Sequence, residues 1–319
     1  MKRINLLLGG LLIGVSVMSC KKAEVIPTPI YEGTEAQTIS DVMNTYLEDQ
    51  AQNFTVDANV ATEVQGNQGT RIILSGNNFT DAGGNPLTGM VDIELIEIYK
   101  QSAMILANKV TVADVGGTNE TISSGGEFRI TITQGGMPVT IANELTVVTA
   151  LATLGLGNME LFGGTLDVDG DIIWNAVDTV TVILDFPVTQ GWYAFLFDGS
   201  YSWVNCDYFW LATGPKTSVT IHVPAICDEN NSRLYMAFAS ENAVAGLTFN
   251  ELSGNFETGL YYSLPEGLTP YFVLVVEDSG QLKYSIHQST IVTNHDETIT
   301  TLTDVGSMAE LEVILDAIL

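Results

Sequence analysis

The chain is short of positive charge. It contains 11 Lys and Arg against 38 Asp and Glu, a formal net charge of −27 in 319 residues. Nucleic acids and anionic membrane surfaces both attract proteins through clusters of Lys and Arg. We therefore expect no nucleic-acid partner and no attachment to a membrane through charge. An acidic surface suits solubility, or a basic or calcium-bridged partner.

Histidine is also scarce, with three residues in the whole chain. The three are dispersed and form no H-x-x-x-H pair, and the sequence contains no G-x-S-x-G nucleophile elbow. We therefore predict a protein without enzymatic activity. One enzymatic alternative stays open, because two carboxyl groups that converge in a cleft would suit an acidic-residue hydrolase.

The sequence has no hydrophobic run of membrane-spanning length. The apolar stretch Ile4–Val17, which follows Lys2-Arg3, is shorter than the roughly 20 residues that a transmembrane helix needs. It ends in Val17-Met18-Ser19-Cys20, which resembles the lipobox of bacterial lipoproteins. This pattern predicts a signal peptide over residues 1–19, cleavage before Cys20 and lipidation of that cysteine. The alternative is an ordinary secretory signal with an incidental cysteine.

Residues 20–34 have the composition of a tether. Lys21–Gly33 includes two of the nine prolines and has no hydrophobic periodicity, which favours an extended spacer. Its two lysines are similar to the charged signals that send Bacteroidota lipoproteins to the cell surface. We expect an outer-membrane lipoprotein, facing the periplasm or the outside, held by acyl chains such as palmitate. Each buried methylene of such a chain contributes about 0.8 kcal/mol.

The rest of the chain has the pattern of antiparallel sheet. Short apolar alternations are bounded by Gly, Asn, Asp and Pro clusters from residue 70 onwards. In Glu127–Thr133, for example, every second side chain is apolar. In Met90–Tyr99 the alternation changes phase near Leu95–Ile96, which predicts a β-bulge there.

We therefore predict a mostly β fold of two antiparallel β-sandwich-like modules, with short helices at the N- and C-terminal ends. The first module, with its helix at Thr38–Phe54, spans residues 35–164. The second, with a terminal helix at Ser307–Ile318, spans residues 165–319. Ser307 and Glu310 have the spacing of a capping box at the start of the terminal helix.

Several stretches carry a resemblance to a known family. They are DAGGNPLTGMVDIELIEIYKQSAMILAN, SSGGEFRITITQGGMPV, NMELFGG followed by IIW, and GWYAFLFDGSYSWVNCDYFW. The last includes Trp203–Phe209, which is similar to a WINCDRF-like motif, with Tyr208 in place of the basic residue. With the lipobox, these stretches resemble a family of Bacteroidota envelope lipoproteins. The resemblance spans roughly residues 66 to 210. It implies an outer-membrane or surface lipoprotein built from β-modules, and no assigned activity.

An acidic string between the two predicted modules is a candidate metal site. Asp167, Asp169 and Asp171 alternate with other residues around Gly170. Alternate carboxylates beside a glycine turn suit Ca²⁺, a hard cation that prefers oxygen ligands. Calcium is therefore the one cofactor that the sequence suggests. The alternative is a solvated acidic linker.

Aromatic residues crowd the segment 192–210. Exposed rings there would stack on sugar faces or anchor a partner protein, and Tyr201 and Trp203 are the candidate ligand-binding residues. The alternative is that this segment forms the core of a sandwich. Cys206 and Cys227 are the other two cysteines, and we expect two buried free thiols rather than a disulfide.

These observations predict a non-enzymatic outer-membrane or cell-surface lipoprotein that acts as an interaction or accessory subunit. Its membrane contact would be the N-terminal lipid, and its partner an outer-membrane protein. The alternative function is surface glycan binding through the aromatic segment 192–210.

Overall fold

A computed structural model describes residues 37–149, 159–166, 171–177, 193–210, 213–259 and 264–319. The fold is mostly β and sandwich-like, with a short helix near each end, which confirms the predicted fold class. Within these ranges, no helix has the length and apolar character needed to cross a bilayer.

The helices and strands have the following bounds. The helices are α1 (Ile39–Asp49), α2 (Gln101–Leu106) and α3 (Met308–Asp316). The strands are β1 (Gln52–Asp57), β2 (Thr62–Gln65), β3 (Arg71–Leu74), β4 (Phe79–Thr80), β5 (Met90–Ile98), β6 (Val112–Val115), β7 (Thr118–Gln134), β8 (Met137–Pro138), β9 (Thr140–Ile141), β10 (Leu145–Val148), β11 (Glu160–Leu166), β12 (Ile172–Ala176), β13 (Ala194–Phe197), β14 (Trp203–Phe209), β15 (Lys216–Thr217), β16 (Val219–His222), β17 (Ser232–Phe238), β18 (Ala243–Asn250), β19 (Asn255–Glu257), β20 (Leu264–Pro265), β21 (Tyr271–Asp278), β22 (Gln281–Gln288), β23 (His295–Thr298) and β24 (Thr303–Val305).

The first large sheet, which we call sheet A, is organised around β7. Its strand order is β1-β5-β7-β14-β11-β12-β6, and β8 adds a hairpin to β7. Because β7 is 17 residues long, it pairs with β5 and β14 over one part and with β6 near its start. A parallel bridge from Trp174 to Ala113 joins β12 to β6. The strands β7, β14, β11, β12 and β6 therefore close into a ring.

One face of sheet A packs against a smaller sheet of order β13-β10-β3-β2. The shared core includes Val91, Ile93, Leu95, Phe128 and Phe195, all fully buried. Alternate residues of β5 and β7 supply the first four side chains, because neighbouring side chains on a strand point to opposite faces, and β13 supplies Phe195. This pair of sheets is the first sandwich-like module.

The second large sheet, which we call sheet C, has the order β23-β16-β19-β18-β17-β21-β22-β24. All neighbours are antiparallel except β16 and β23. One face forms its own core with Met236, Phe238 and Phe272. The opposite face, with Tyr235 and Val273, belongs to a core that it shares with the helices and sheet A.

The helices fill this shared core. Met43, Tyr46 and Leu47 of α1 form one buried stripe, and Leu311 and Leu315 of α3 form another. The helix α2 is buried along its whole length, and the sequence analysis did not predict it. Six residues are too few to show helical periodicity, and a short segment that is largely apolar fits a buried strand equally well.

The terminal helices begin as predicted, but their contacts differ in detail. Thr38 caps α1 and forms a capping box with Asp41. The predicted helix over Thr38–Phe54 ends at Asp49, since the chain enters β1 at Gln52. Ser307 caps α3, whereas the Glu310 carboxylate accepts from the Gly306 N–H rather than from Ser307.

The predicted bulge at Leu95–Ile96 is wrong. The pairing of β5 with β7 is continuous from Asp92 to Ile98. The change of phase arises because this half of β5 is buried on both faces, with Leu95 in the sandwich core and Ile96 in the core shared with the helices. A buried strand has no need of alternation.

Strand pairing continues across the predicted module boundary at residue 164. That residue lies inside β11, which pairs with β12 and β14 from the other side of the boundary. The polar segment after β11 therefore joins two antiparallel neighbours of one sheet. A turn between paired strands and a linker between modules both favour Gly and Asp, so composition does not separate the two.

Candidate functional site

A bulge in sheet A positions the side chains of the WINCDRF-like motif. Gly125 and Gly126 of β7 together oppose the single residue Cys206 of β14. Gly126 has φ +138°, and a Cβ there would lie 2.6 Å from the Tyr99 ring. A Cβ on Gly125 would lie 2.7 Å from the Cys206 carbonyl oxygen. The double glycine is therefore required by backbone conformation and by space.

Polar side chains gather on one face of the sheet beside this bulge. Glu127 and Asp207 are both 0% exposed. Asn205 donates from Nδ2 to Asp207 Oδ2 at 2.6 Å, and Ser124 Oγ donates to Asn205 Oδ1 at 3.0 Å. Among the residues that the structure describes, neither carboxylate oxygen of Glu127 has a hydrogen-bond partner. We call these four residues, together with Lys109, the interior polar cluster.

Burial controls the protonation of the cluster. It raises the pKa of Glu127 well above the ordinary value, and the neighbouring Asp207 charge adds to the rise. Burial also raises the pKa of Asp207, although the nearby Ser124 hydroxyl and Gly125 backbone N–H oppose the rise. The pKa of Lys109 is lowered, mainly by burial, while Glu127 opposes the change. Buried carboxyls near each other favour a shared proton.

Trp203 lies against the same face and is only 2% exposed. The Lys109 ammonium is 5.6 Å from its ring centroid, and the Arg129 guanidinium carbon is 5.9 Å away. Arg129 in turn bonds Glu48 and Glu94. The ring of Trp203, a predicted ligand-binding residue, is thus enclosed by the protein's own side chains, in agreement with the alternative of a sandwich core.

Tyr201, the other predicted ligand-binding residue, is half-buried against the sandwich core. Its ring covers Gly163 so closely that a Cβ there would lie 2.3 Å from it. Tyr193, Phe195 and Phe197 are buried. In the described part of segment 192–210 these rings form core, which was the alternative to a stacking platform.

The other predicted site residues have separate outcomes. Cys20, Asp167 and Asp169 lie outside the described residues, so lipidation and calcium binding stay predictions. Asp171 begins the segment that leads into β12 and accepts from Asn108 Nδ2 at 2.5 Å. In the described parts of the chain, no three His, Cys, Asp or Glu side chains are grouped to hold a metal ion.

The two cysteines of the β-rich body are free and buried, as predicted. Burial raises the pKa of the Cys206 thiol, with a further contribution from Asp207. Burial also raises the pKa of Cys227 to about 11. Both side chains therefore remain thiols and act as small apolar groups.

A cavity of about 610 Å³ lies where sheet A, sheet C and α1 meet. This volume is within the roughly 300–1,000 Å³ range of small-molecule sites. Its walls come from the start of α1, the segment after α2, the start of β12 and the strands β17, β18 and β19. The lining combines charged, amide, hydroxyl and aromatic side chains, and we call it the inter-sheet cavity.

Asn108 holds one wall of the cavity in place. It follows the C-cap of α2 with φ +51°, a left-handed conformation that Asn tolerates after a helix. Its Nδ2 donates to Asp171 Oδ1 at 2.5 Å, and its Oδ1 accepts from the Tyr235 hydroxyl at 2.8 Å. The amide is thereby fixed from both sides, and Asp171 is tied to sheet C.

Arg233 forms a second part of the wall. Nη1 donates to the carbonyl oxygens of Glu229 at 2.5 Å and Ser232 at 3.0 Å, and Nη2 donates to Ser40 Oγ at 2.9 Å. Within the described residues, Nε and the second N–H of Nη2 have no protein acceptor. In the part of the chain that the structure describes, no carboxylate oxygen lies within 4.0 Å of the guanidinium nitrogens.

The remaining wall is apolar. Phe249 and Phe256 pack edge to face, with ring centroids 5.2 Å apart. Phe249 is half-buried, whereas Phe256 is buried behind it. Gly246 lies in the lining opposite Val110, where the missing side chain leaves space.

Sequence reasoning missed this cavity. Its polar residues come from segments far apart in the chain and are of common types. The sequence indicates Asp171 only as a candidate calcium ligand. The one usable signal was Asn108-Lys109 directly after an apolar segment, which is typical of a helix C-terminus.

Comparisons with known proteins leave the chain without a family. No protein-family model matches the sequence, and no curated protein matches it. Among solved structures, the crystal structure of the gamma-CGTase from alkalophilic Bacillus clarkii is similar at 10% identity and a TM-score of 0.19. The match covers 77% of this chain and 40% of that protein, so the chain spans less than half of its length. A score this low supports no argument about fold or activity.

Proposed function

We propose that this protein is a non-enzymatic lipoprotein of the outer membrane or cell surface that acts by binding, as an interaction or accessory subunit. The inter-sheet cavity is the observation that supports this proposal best. Its polar wall is fixed by hydrogen bonds from Tyr235 through Asn108 to Asp171. A wall that is already ordered loses little conformational entropy when a ligand binds.

The interior polar cluster supports a structural role for the acidic pair. Glu127 and Asp207 are fully enclosed, so solvent and substrate have no access to them. A hydrolase needs carboxyl groups that reach the substrate. The cluster is therefore a poor candidate for the acidic-residue mechanism.

The lipid anchor is the second part of the proposal and rests on the sequence of residues 1–34. We expect the wild-type chain to incorporate an alkyne-labelled fatty acid in a bacterial host and to fractionate with membranes. The matched control is Cys20→Ser, which should lose the label. Labelling of the variant to the wild-type level would contradict the lipobox interpretation.

Surface glycan binding is the second candidate function. The aromatic segment no longer favours it, because Trp203 is enclosed and Tyr201 covers Gly163. The inter-sheet cavity favours it instead, since it combines polar groups with the Phe249 ring. We therefore assign any glycan site to the cavity rather than to residues 192–210.

Purification from crosslinked native membranes tests the accessory role. A stoichiometric outer-membrane protein should copurify in mild detergent with the full-length, tagged wild type. The control is a tagged Cys20→Ser chain, which would not be held at the membrane. Recovery of the wild-type protein without any partner would contradict the accessory role and leave a free-standing binding protein.

A further inference from the structure

The unsatisfied donors of Arg233 define what the inter-sheet cavity can hold. The Nε–H group and the neighbouring N–H of Nη2 point along one edge of the planar guanidinium and form a side-on fork. Within the described residues Nε–H and one of the two N–H groups of Nη2 meet no protein acceptor, since the other three N–H groups bond Glu229, Ser232 and Ser40. A fork of this kind matches two adjacent oxygen atoms of one ligand.

The charges of the wall argue against an ionic ligand. Asp171 and Glu229 line the same cavity as Arg233. An anion would be attracted by Arg233 but repelled by the two carboxylates. A cation would be attracted by the carboxylates but repelled by Arg233. The net charge of −27 further disfavours the approach of polyanions. A neutral group that both donates and accepts hydrogen bonds can bind Arg233 and Asp171 at the same time.

The apolar wall requires a ligand that also has a nonpolar face. The half-buried Phe249 ring packs edge to face on Phe256 and is thereby held in one orientation. Fixed aromatic rings present a π-face at low entropic cost. The cavity volume of about 610 Å³ lies within the usual range of small-molecule sites and is large enough for a ligand that contains several rings.

We propose that the inter-sheet cavity binds a neutral saccharide, with two adjacent hydroxyl oxygens on the Arg233 fork, a hydroxyl donating to Asp171 and a C–H face on Phe249. A pyranose ring carries vicinal hydroxyls at its edge and C–H groups on its faces, which are the features that the wall requires. This inference rests on the proposed binding function and names the ligand class.

A printed array of neutral and acidic glycans, probed with the full-length protein in mild detergent, is the first step. At least one neutral glycan should bind, with millimolar or tighter affinity confirmed by titration calorimetry. Glycans with uronic or sialic acids should bind more weakly than their neutral counterparts, because of Asp171 and Glu229.

Two conservative variants test the assigned contacts. Arg233→Lys keeps the charge and removes the fork, and Asp171→Asn keeps the shape and removes the charge. Each should weaken binding about tenfold to hundredfold, the usual effect of losing a hydrogen bond to a charged group. Glu160→Gln, an exposed change on β11, is the matched control and should leave affinity unchanged.

Three outcomes would overturn the inference: no neutral glycan binds, an acidic glycan binds more tightly and is strengthened by Asp171→Asn, or neither cavity variant weakens binding. The proposed binding function would survive the first of these if a membrane partner were recovered from crosslinked membranes. It would fail together with the inference if neither glycan nor partner were found.

Discussion

The interior polar cluster and the inter-sheet cavity use neighbouring residues of the chain but differ in their access to solvent. Asn108 and Lys109 are consecutive, yet Asn108 faces the cavity and Lys109 lies over the Trp203 ring. The cluster contains the residues that are conspicuous in the sequence and is closed to solvent. The cavity is lined by common residues and is large enough for a ligand.

The difference shows that a motif can be conspicuous for structural reasons. Trp203, Asn205 and Asp207 alternate along β14, so they share one face of sheet A, and the bulge at Gly125-Gly126 adjusts their neighbours. Their spacing brings Asn205 within hydrogen-bonding distance of Asp207 inside the β-sheet. Binding, by contrast, needs only that ordered polar groups remain accessible.

The largest expected effect is on stability, from Trp203→Ala. Removing this enclosed ring should cost about 3–5 kcal/mol in the free energy of unfolding, since the cavity left behind cannot collapse fully. Urea denaturation measures it. The control, Leu252→Ala, removes a fully exposed side chain and should change stability by at most about 0.5 kcal/mol. A stable Trp203→Ala protein that has lost only binding would instead make Trp203 a ligand residue.

Gly126→Ala should be next in size. At φ +138° the new Cβ would meet the Tyr99 and Phe128 rings at 2.6 and 2.7 Å, so we expect a loss of about 1–3 kcal/mol. Gly135→Ala is the matched control, because its φ is also positive but nothing lies within 4 Å of its Cβ site. Thermal denaturation of both variants measures the difference. A lower stability of Gly135→Ala than of Gly126→Ala would contradict the bulge geometry.

Glu127→Gln should change the pH dependence of stability. The raised pKa of Glu127 means that the folded state binds a proton more tightly than the unfolded state. Stability from this group is therefore present at low pH and is lost as pH rises from the ordinary value, 4.5, towards the raised one. The amide cannot ionise, so the variant should lose less stability over that window.

Unfolding free energies measured across this pH window test the assignment. Glu160→Gln, which changes an exposed carboxyl, should keep the wild-type pH profile. Lys109 and Asp207 still titrate in both proteins, so the comparison is between slopes rather than with a flat line. Identical slopes for wild type and Glu127→Gln would contradict a buried, perturbed Glu127.

The smallest expected effect concerns the cysteines. Reductant should leave the melting temperature unchanged, because Cys206 and Cys227 are both free. A thiol reagent should modify them only after unfolding, since both are buried and burial raises their pKa values. A fall in melting temperature on reduction would show a disulfide and contradict the fold around Cys206.

The strands and terminal helices could be predicted because residues close together in the sequence determine them. The Gly135-Gly136 hairpin, the period-two strand Glu127–Thr133 and the caps Thr38 and Ser307 all follow from residues near in sequence. Burial on both faces hid the regular pairing of β5, since its alternation is lost where sheet A meets the helices.

The candidate site could not be predicted because its residues come together only when distant segments of the chain pack against each other. Asp171, Asn108 and Tyr235 meet only when sheet A, α2 and sheet C are in place. No spacing in the sequence encodes that meeting. Only its composition indicated the aromatic segment 192–210 as a binding surface, and composition does not distinguish a core from a surface.

A crystal structure of the protein soaked with a neutral oligosaccharide would test the central claim most directly. We predict saccharide density in the inter-sheet cavity, with two hydroxyls on Arg233, one on Asp171 and a ring face on Phe249. Density on the surface of residues 193–210, or no density at a concentration that saturates binding in solution, would contradict the assignment of function to the cavity.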